Sequence, residues 1–376
     1  MTLTVASLPA EFSSRKVRNG LYSICHNQMI TQTGRTIETR FTRLVGVRHP
    51  VMQEGLGPYK TVHLAAAVAN AGGLGTVSIP GITEEPTRGA SILRGYIEEA
   101  CALTDGILAV NIPVGADKAT GKVLPFSETY VRAVVQAVRD PMIARRLRVI
   151  TTSAGAPGAA RGLIAGSGLI HIHKVGGTSQ AIRAERDGVD AIIASGYEAG
   201  GHTHARPVHT FVLVPSVAEA VKIPVILAGG ARDGRSLAAA LAMGADAVAL
   251  GTRFVASRDN PDWDPAYAAR ILATKEGEDV VFSAIYGPSR ALPSNGIQEL
   301  AAMIAAGTDN DTLTRFKDER LIAGQRDGDM VGGILPCGQI AGALQDLIDV
   351  AEFVPGVVEQ ACDILARLGQ LVARAP

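Results

Sequence analysis

The sequence predicts an α/β fold, a closed (β/α)8 barrel of the TIM type, on three observations. Eight short apolar runs recur along 376 residues, glycine- or proline-marked turns and Ala-rich helical stretches separate them, and one helix-to-strand phrase is used twice. The runs are Leu44–Met52, Gly75–Ile79, Ile107–Ile112, Arg148–Thr152, Leu169–Val175, Ala191–Ala194, Val225–Ala228 and Ala247–Leu250. They are short and do not alternate strictly, as expected of parallel strands covered on both faces.

Helices are predicted between them: Val62–Asn70, closing at Gly72; Ser127–Arg139; Ser179–Asp187, ending at Gly188; and Arg235–Met243, ending at Gly244. Glycine just past a helix accepts the left-handed conformation that stops it. The repeated phrase reads GVDAIIASG at 188–196 and GADAVALG at 244–251. Alternating β and α units call for right-handed crossovers and a parallel sheet. Eight of them favour closure over the competing doubly wound sheet.

Two segments leave this rhythm. Residues 1–40 are mixed and polar and are expected to form an N-terminal extension. Residues 256–334 hold Pro261, Trp263, Pro265, Pro288, Pro293 and the charged stretch Lys317–Arg320, and are expected to be a helical insertion after strand 8, capping the barrel mouth. The barrel itself is assigned to 41–255 with 335–376, its tail from Ile340 to Leu368 supplying outer helices.

Composition narrows the function classes. With 36 basic and 36 acidic residues, nothing electrostatic favours nucleic acid or an anionic membrane as partner. No run of about 18 apolar residues points to a membrane span. Cys25, Cys101, Cys337 and Cys362 are far apart and form no CxxC, so reduced thiols and a cytoplasmic location are expected. The expected partner is a small-molecule substrate, and a homodimer is compatible with the sequence.

In such barrels the site lies at the C-terminal strand ends, with phosphate commonly after strands seven and eight. Those ends read Ala228-Gly229-Gly230-Ala231 and Leu250-Gly251-Thr252-Arg253. Glycine lets backbone N–H groups approach phosphate oxygens, and a following helix N-terminus adds partial positive charge. The plain alternative is that these glycines only turn the chain. After the sixth strand comes Ser195-Gly196-Tyr197-Glu198-Ala199-Gly200-Gly201-His202, which delivers an imidazole able to trade protons near neutral pH; a structural histidine is the alternative. His202 and His204 do not form a recognised metal set. Lys174 ends the fifth strand, Asn111 the third, and Met52 and Gln53 the first. Each has a structural reading beside the functional one: a surface lysine, a turn cap, a glutamine bonded to backbone. No GxGxxG follows the first strand, so any NAD(P)H would visit only as a transient electron donor.

The stretches PVMQEGLG, LAAAVANAGGLGTVS, IHKV, SGYEAGGHT, ILAGGARDGRSLAAALAMGADAVALGTRF and CGQIAG together resemble the nitronate monooxygenase family, over roughly residues 42–350. The resemblance implies FMN, with contacts at Met52, Gln53, Asn111, Lys174, Ser195, Gly200, Gly201, Gly229, Gly230, Ala231, Gly251 and Thr252. It implies His202 as the catalytic residue, a base or a substrate-orienting group. A lone Lys174 ammonium about 4 Å from a reduced flavin would contribute on the order of 4 kcal/mol gross at an effective dielectric of 20. The implied reaction oxidises alkyl nitronates with O2 to a carbonyl compound and nitrite. The alternative on the same barrel is NAD(P)H-driven reduction of a quinone or enoyl thioester. The sequence departs from the family pattern at Ser195, at Glu54, at HTHARP after the histidine, and at Asn295-Gly296-Ile297. A non-catalytic flavin binder and a phosphosugar isomerase are the readings from other classes.

Overall fold

A computed structural model describes residues 34–115, 120, 123–285 and 287–372. Most of the expected N-terminal extension, and Cys25, lie outside the described residues.

Eight parallel strands make the barrel: β1 (Val51–Gln53), β2 (Gly75–Ser78), β3 (Leu108–Val114), β4 (Leu147–Ala154), β5 (Ile170–Val175), β6 (Ala191–Ser195), β7 (Val225–Ala228) and β8 (Ala247–Leu250). Their order is β1-β8-β7-β6-β5-β4-β3-β2, and a parallel bridge from Met52 to Leu74 joins the two ends. Gln53 extends this closure. Its side-chain amide acts as a surrogate peptide: Nε2 donates to Thr76 O (2.9 Å) and Oε1 accepts from Thr76 N (3.2 Å).

Alternation along the strands sorts side chains into two layers. Met52, Leu74, Ala109, Val149, Ile172, Ala191, Ile193, Ile226, Ala228, Ala247 and Ala249 fill the barrel interior. Their neighbours Val51, Val110, Ile150, Ile192, Leu227 and Val248 face the surrounding helices. By the same period of two, Asn111, Thr151, Lys174 and Ser195 continue the inward row at the C-terminal end, where the site is.

The first apolar run needs correction. Leu44 and Val45 belong to a helix, Arg40–Val45, and the strand starts only at Val51. Thr39 and Gly46 cap that helix, and its Phe41 and Val45 join the interior layer. Arg40 pairs with Asp246, which precedes β8 (2.7 Å). The helix is therefore a plug in the N-terminal end of the barrel, and the run from Leu44 joined its last two residues to the strand without a period to separate them.

The repeated phrase is a repeated device. Gly188 and Gly244 both sit at φ 87°, and the residue after each donates back into the helix, Val189 to Ala184 O and Ala245 to Ala240 O. The aspartates then fasten the neighbouring strand: Asp190 accepts from His171 N (2.8 Å) and Asp246 from Val225 N (3.0 Å).

The insertion is more than helical. Val280–Ala284, Gly287–Leu292 and Leu335–Pro336 form an antiparallel sheet, and Gly201–His202 pairs with the second of these strands. Residues 335 and 336, expected in the barrel, thus belong to the cap sheet. Helices Pro265–Leu272, Asn295–Ala305 and Asn310–Arg326 complete the cap, and Val350–Gln370 returns to the barrel's outer ring.

Gly75 marks how closely helix Val62–Asn70 lies on β2, since a Cβ there would fall 1.9 Å from Ala65 O. Backbone cannot yield as a flexible side chain can. Gly75→Ala should destabilise the fold by about 3 kcal/mol or more, read as a lower urea midpoint with unchanged slope.

Candidate active site

The mouth of the barrel is crossed by one ion pair. Glu54, just past β1, and Lys174, on β5 directly opposite, meet at 3.1 Å. Glu54 Oε2 also accepts from Gly55 N (3.2 Å), while the buried Oε1 has no protein donor. The lone ammonium expected of Lys174 is therefore a neutralised one.

Asn111 stands beside this pair. Its Oδ1 accepts from Thr151 Oγ1 (3.0 Å), which orients the amide and leaves its NH2 for the mouth. Gly55 lies against it, as a Cβ there would be 2.3 Å from Asn111 Cγ. Ser195 ends β6, half-buried, on the same inward row. Met52 and Gln53 are not brought to the mouth by their side chains: Met52 is fully buried in the interior layer and the Gln53 amide is bound to Thr76. The residues β1 delivers there are Glu54, Gly55 and Leu56, the first and last lying within 4 Å of a Cβ built on Gly251. A strand of three residues left their position relative to the mouth unreadable from sequence.

The glycine loops have a definite geometry. Gly229 and Gly230 take φ 95° and 77°, a left-handed pair that L-residues with side chains resist. The N–H groups of Gly229, Gly230, Ala231, Gly251 and Thr252 donate to no acceptor among the described residues. The first turn of helix Gly234–Ala242 contributes less than expected, because Asp233 already accepts from Arg235 N and Ser236 N. Thr252 Oγ1 accepts from Gly338 N (2.8 Å), tying the CGQIAG stretch to this loop. Gly200 serves the same docking: a Cβ there would be 2.4 Å from Cys337 C.

Glu198 of the histidine loop is an anchor. It accepts from Thr210 N and Oγ1 (3.0 and 2.8 Å), and Thr210 Oγ1 also reaches Gly229 O (3.1 Å). Burial alone would push its carboxyl up, but these hydrogen bonds and His209 hold it below the usual range. Arg290 of the cap grips the same loop, donating to Tyr197 O and lying 4.8 Å over the Tyr197 ring while paired with buried Asp279.

His202 follows at the left-handed Gly201 and pairs with Ser289 of the cap sheet. His202 is exposed by surface area although protein atoms crowd its ring, as for a group at the rim of an open hollow. Lys317 Nζ lies 3.1 Å from its Nε2. Burial, then the charges of Lys317 and Lys174, lower the imidazole to about 3, and burial lowers the Lys317 ammonium to about 8. At neutral pH His202 is uncharged and Lys317 charged.

Lys317 was singled out in the sequence only as part of a charged stretch. Helix Asn310–Arg326 turns Leu313, Thr314, Lys317, Asp318, Leu321, Gly324 and Gln325 inward. A lysine four residues from a leucine on either side was the available signal. The same face reaches two more loops: Asp318 accepts from Ile82 N and Thr83 N, and Gln325 donates to Gly57 O and accepts from Tyr59 N.

Comparison with known proteins agrees with this architecture. The family model described as nitronate monooxygenase matches residues 38–360. The chain belongs to the nitronate monooxygenase family. Among its family relatives, a "(3aS,4S,5R,7aS)-5-hydroxy-7a-methyl-1-oxo-octahydro-1H-indene-4-carboxyl-CoA dehydrogenase" of Rhodococcus jostii is 32% identical over 90% of this chain and 99% of its own length. A "probable nitronate monooxygenase" of Staphylococcus saprophyticus is 30% identical over 70% of this chain and 81% of its own. The solved structure of FabK from Thermotoga maritima superposes with a TM-score of 0.76 at 32% identity, covering 90% of this chain and all of that one. As a member of this family the chain is an oxidoreductase on a small-molecule substrate. Among the described residues no helix is long and apolar enough to cross a membrane.

Three other histidines are buried without charge. His49 has no polar partner on either ring nitrogen, and His171 and His173 share Thr152 Oγ1 (2.7 and 2.8 Å) on the outward face of β5. Burial lowers them to about 4, 3 and 4 respectively. Each folded pKa lies below the unfolded value of about 6.5, so the unfolded chain binds more protons in acid. Their contribution is complete above pH 6.5 and lost as pH falls towards 4. These three groups by themselves contribute a slope approaching roughly 4 kcal/mol per pH unit below pH 6, to which His202 adds, so stability should fall at least that steeply; urea titrations at pH 7.5, 6 and 5 measure it.

Proposed function

We propose that this protein is an FMN-dependent oxidoreductase acting on an acyl thioester of the coenzyme A type, exchanging two electrons at carbons next to the thioester carbonyl. The observation that carries the cofactor is the set of backbone N–H groups at the ends of β7 and β8, which meet no acceptor among the described residues. Two adjoining loops of free donors suit a phosphomonoester dianion. Bound FMN would supply the two-electron carrier. Gly229, Gly230, Ala231, Gly251 and Thr252 would hold its phosphate, and Asn111, Lys174 and Ser195 stand where the barrel mouth would receive its ring.

The substrate class is supported by the relative from Rhodococcus, named for a carboxyl-CoA dehydrogenase and matched over nearly its whole length. It is also supported by His202, an uncharged imidazole at the edge of the mouth, suited to donate a hydrogen bond to a carbonyl oxygen that gains negative charge. Nitronate oxidation with O2 is the second reading, favoured by the family description and by the staphylococcal relatives. NAD(P)H would be a visiting electron donor in the reductive direction.

Purified protein should be yellow or become so with FMN; a protein that stays colourless after reconstitution would sink both readings. The oxidised protein is then mixed anaerobically with a saturated acyl-CoA, propionate-3-nitronate, NADH or NADPH. Bleaching by the acyl-CoA, or bleaching by a pyridine nucleotide followed by reoxidation with an enoyl-CoA, supports the thioester reading. Bleaching by the nitronate alone transfers the assignment to the second.

The Glu54–Lys174 pair adds a prediction. An ammonium cancelled by a carboxylate at 3.1 Å gives a reduced flavin little net attraction. Glu54→Gln frees that charge. The reduced state should gain about tenfold in equilibrium, a rise of about 30 mV in the two-electron midpoint potential by spectroelectrochemical titration. An unmoved or lowered potential would show that the pair does not tune the flavin.

A further inference from the structure

Lys317 is a buried lysine with no carboxylate on its ammonium among the described residues. Its neighbour Asp318 is turned away, its Oδ2 accepting from Ile82 N (3.0 Å), Thr83 N (3.2 Å) and Thr83 Oγ1 (3.1 Å). Such burial is unfavourable for a charge. The side chain is nevertheless held in place, since Leu313 and Leu321 flank it one turn away on either side of the same buried helix face. Among the described residues its one hydrogen-bond partner is His202 Nε2.

We propose that Lys317 fixes His202 as the Nδ1–H tautomer, so that the imidazole acts as a hydrogen-bond donor to a substrate oxygen and not as a proton-abstracting base. An ammonium has three donors and no acceptor, so the nitrogen it touches must present a lone pair. In a neutral imidazole the proton then sits on Nδ1. The charged groups facing the ring are Lys317 from the cap helix and Lys174 from β5, the latter already paired with Glu54 of β1. The Lys317 ammonium in contact with it, with little added by the already paired Lys174, opposes a further positive charge, which removal of a substrate proton by His202 would create. An oxygen gaining negative charge is favoured by the same field.

This inference deepens the thioester reading, in which that oxygen is the thioester carbonyl; Lys317 is a positioning residue that acts through His202. It also accounts for a lysine in a place where a methionine would pack more favourably. The His202 Nδ1–H is a fixed dipole, available before substrate arrives, so orientation of the imidazole is not left to the reaction step.

The test needs neither cofactor turnover nor substrate. Protein labelled with 15N-histidine is examined by long-range 1H–15N correlation at pH 6.0 to 7.5, with His202→Gln identifying the His202 signals. Wild type should show a protonated Nδ1 and an unprotonated Nε2. Lys317→Met, which keeps the stem and removes the donor, should shift His202 towards the Nε2–H form that free histidine favours; Lys317→Arg, which retains donors, should preserve Nδ1–H. With FMN bound, Lys317→Met should lower kcat on the thioester at least tenfold with KM changed less than threefold, and its thermal midpoint should be unchanged or higher. An Nε2–H tautomer in wild type, or a tautomer indifferent to Lys317→Met, overturns the inference. If the tautomer behaves as stated but only nitronate reduces the flavin, the thioester reading fails and the lysine's role stands.

Discussion

One helix laid across the open end of the barrel, Asn310–Arg326, sets the terms for everything beneath it. A helix resting on a protein surface ordinarily buries an apolar stripe. This one buries a lysine and an aspartate between two leucines, and a glutamine one turn beyond the second. Each polar group reaches a different loop: Gln325 the loop after β1, Asp318 the loop after β2, Lys317 the histidine after β6. Because those loops leave separate strands, the helix holds three of the eight loops at the rim in register. Apolar contacts could have supplied the adhesion; directional bonds to backbone and imidazole supply position.

The remainder of the rim is tied by a second set of contacts that converge on the histidine loop. Glu198 fastens that loop to the Gly229 turn through Thr210, and Gly200 admits the Cys337-Gly338 backbone, whose next amide reaches Thr252. The two glycine turns and the imidazole are thus parts of one connected scaffold. Distortion of any loop would be felt at the unpartnered amides, which is the arrangement a site built on rigid elements requires. The residues that make these ties are as much a product of the EAGG sequence as the histidine that follows it, for only glycine permits the backbone-to-backbone approach at 200.

Much of this was legible in the sequence, and the boundary has physical causes. Seven of the eight strands could be placed from apolar runs because each run is bracketed by a helix stop and a turn. The first could not: Leu44 and Val45 are apolar for the sake of a plug helix, and a run that merges helix and strand carries no period to separate them. At the site, residues on the inward row, Asn111, Lys174 and Ser195, followed from their position at strand ends. Gln53 did not, because on a three-residue strand one step of register exchanges the mouth for the sheet's own hydrogen-bond ladder. The Glu54–Lys174 pair joins residues 120 positions apart, and Lys317 meets His202 over 115. Local pattern cannot show such pairs, since it is the closure of the barrel and the descent of the cap that bring them together.

Charge at the mouth is therefore not what a count of its cations suggests. Among the described residues two lysines and a histidine line it, yet Glu54 cancels Lys174 across the barrel axis and the imidazole is neutral, so of these one unbalanced charge remains, on Lys317. That charge lies on the cap side, behind His202, and not on the barrel floor. A field placed there acts on an oxygen held by the imidazole more than on a ring resting over the Glu54–Lys174 pair, because Coulomb energy falls with distance and the floor pair screens what reaches it. The barrel floor and the cap can then be tuned separately, one for the electron carrier and the other for the substrate. Under the proposed function, the pair on the floor would act on the electron carrier and the charge on the cap helix on the substrate oxygen.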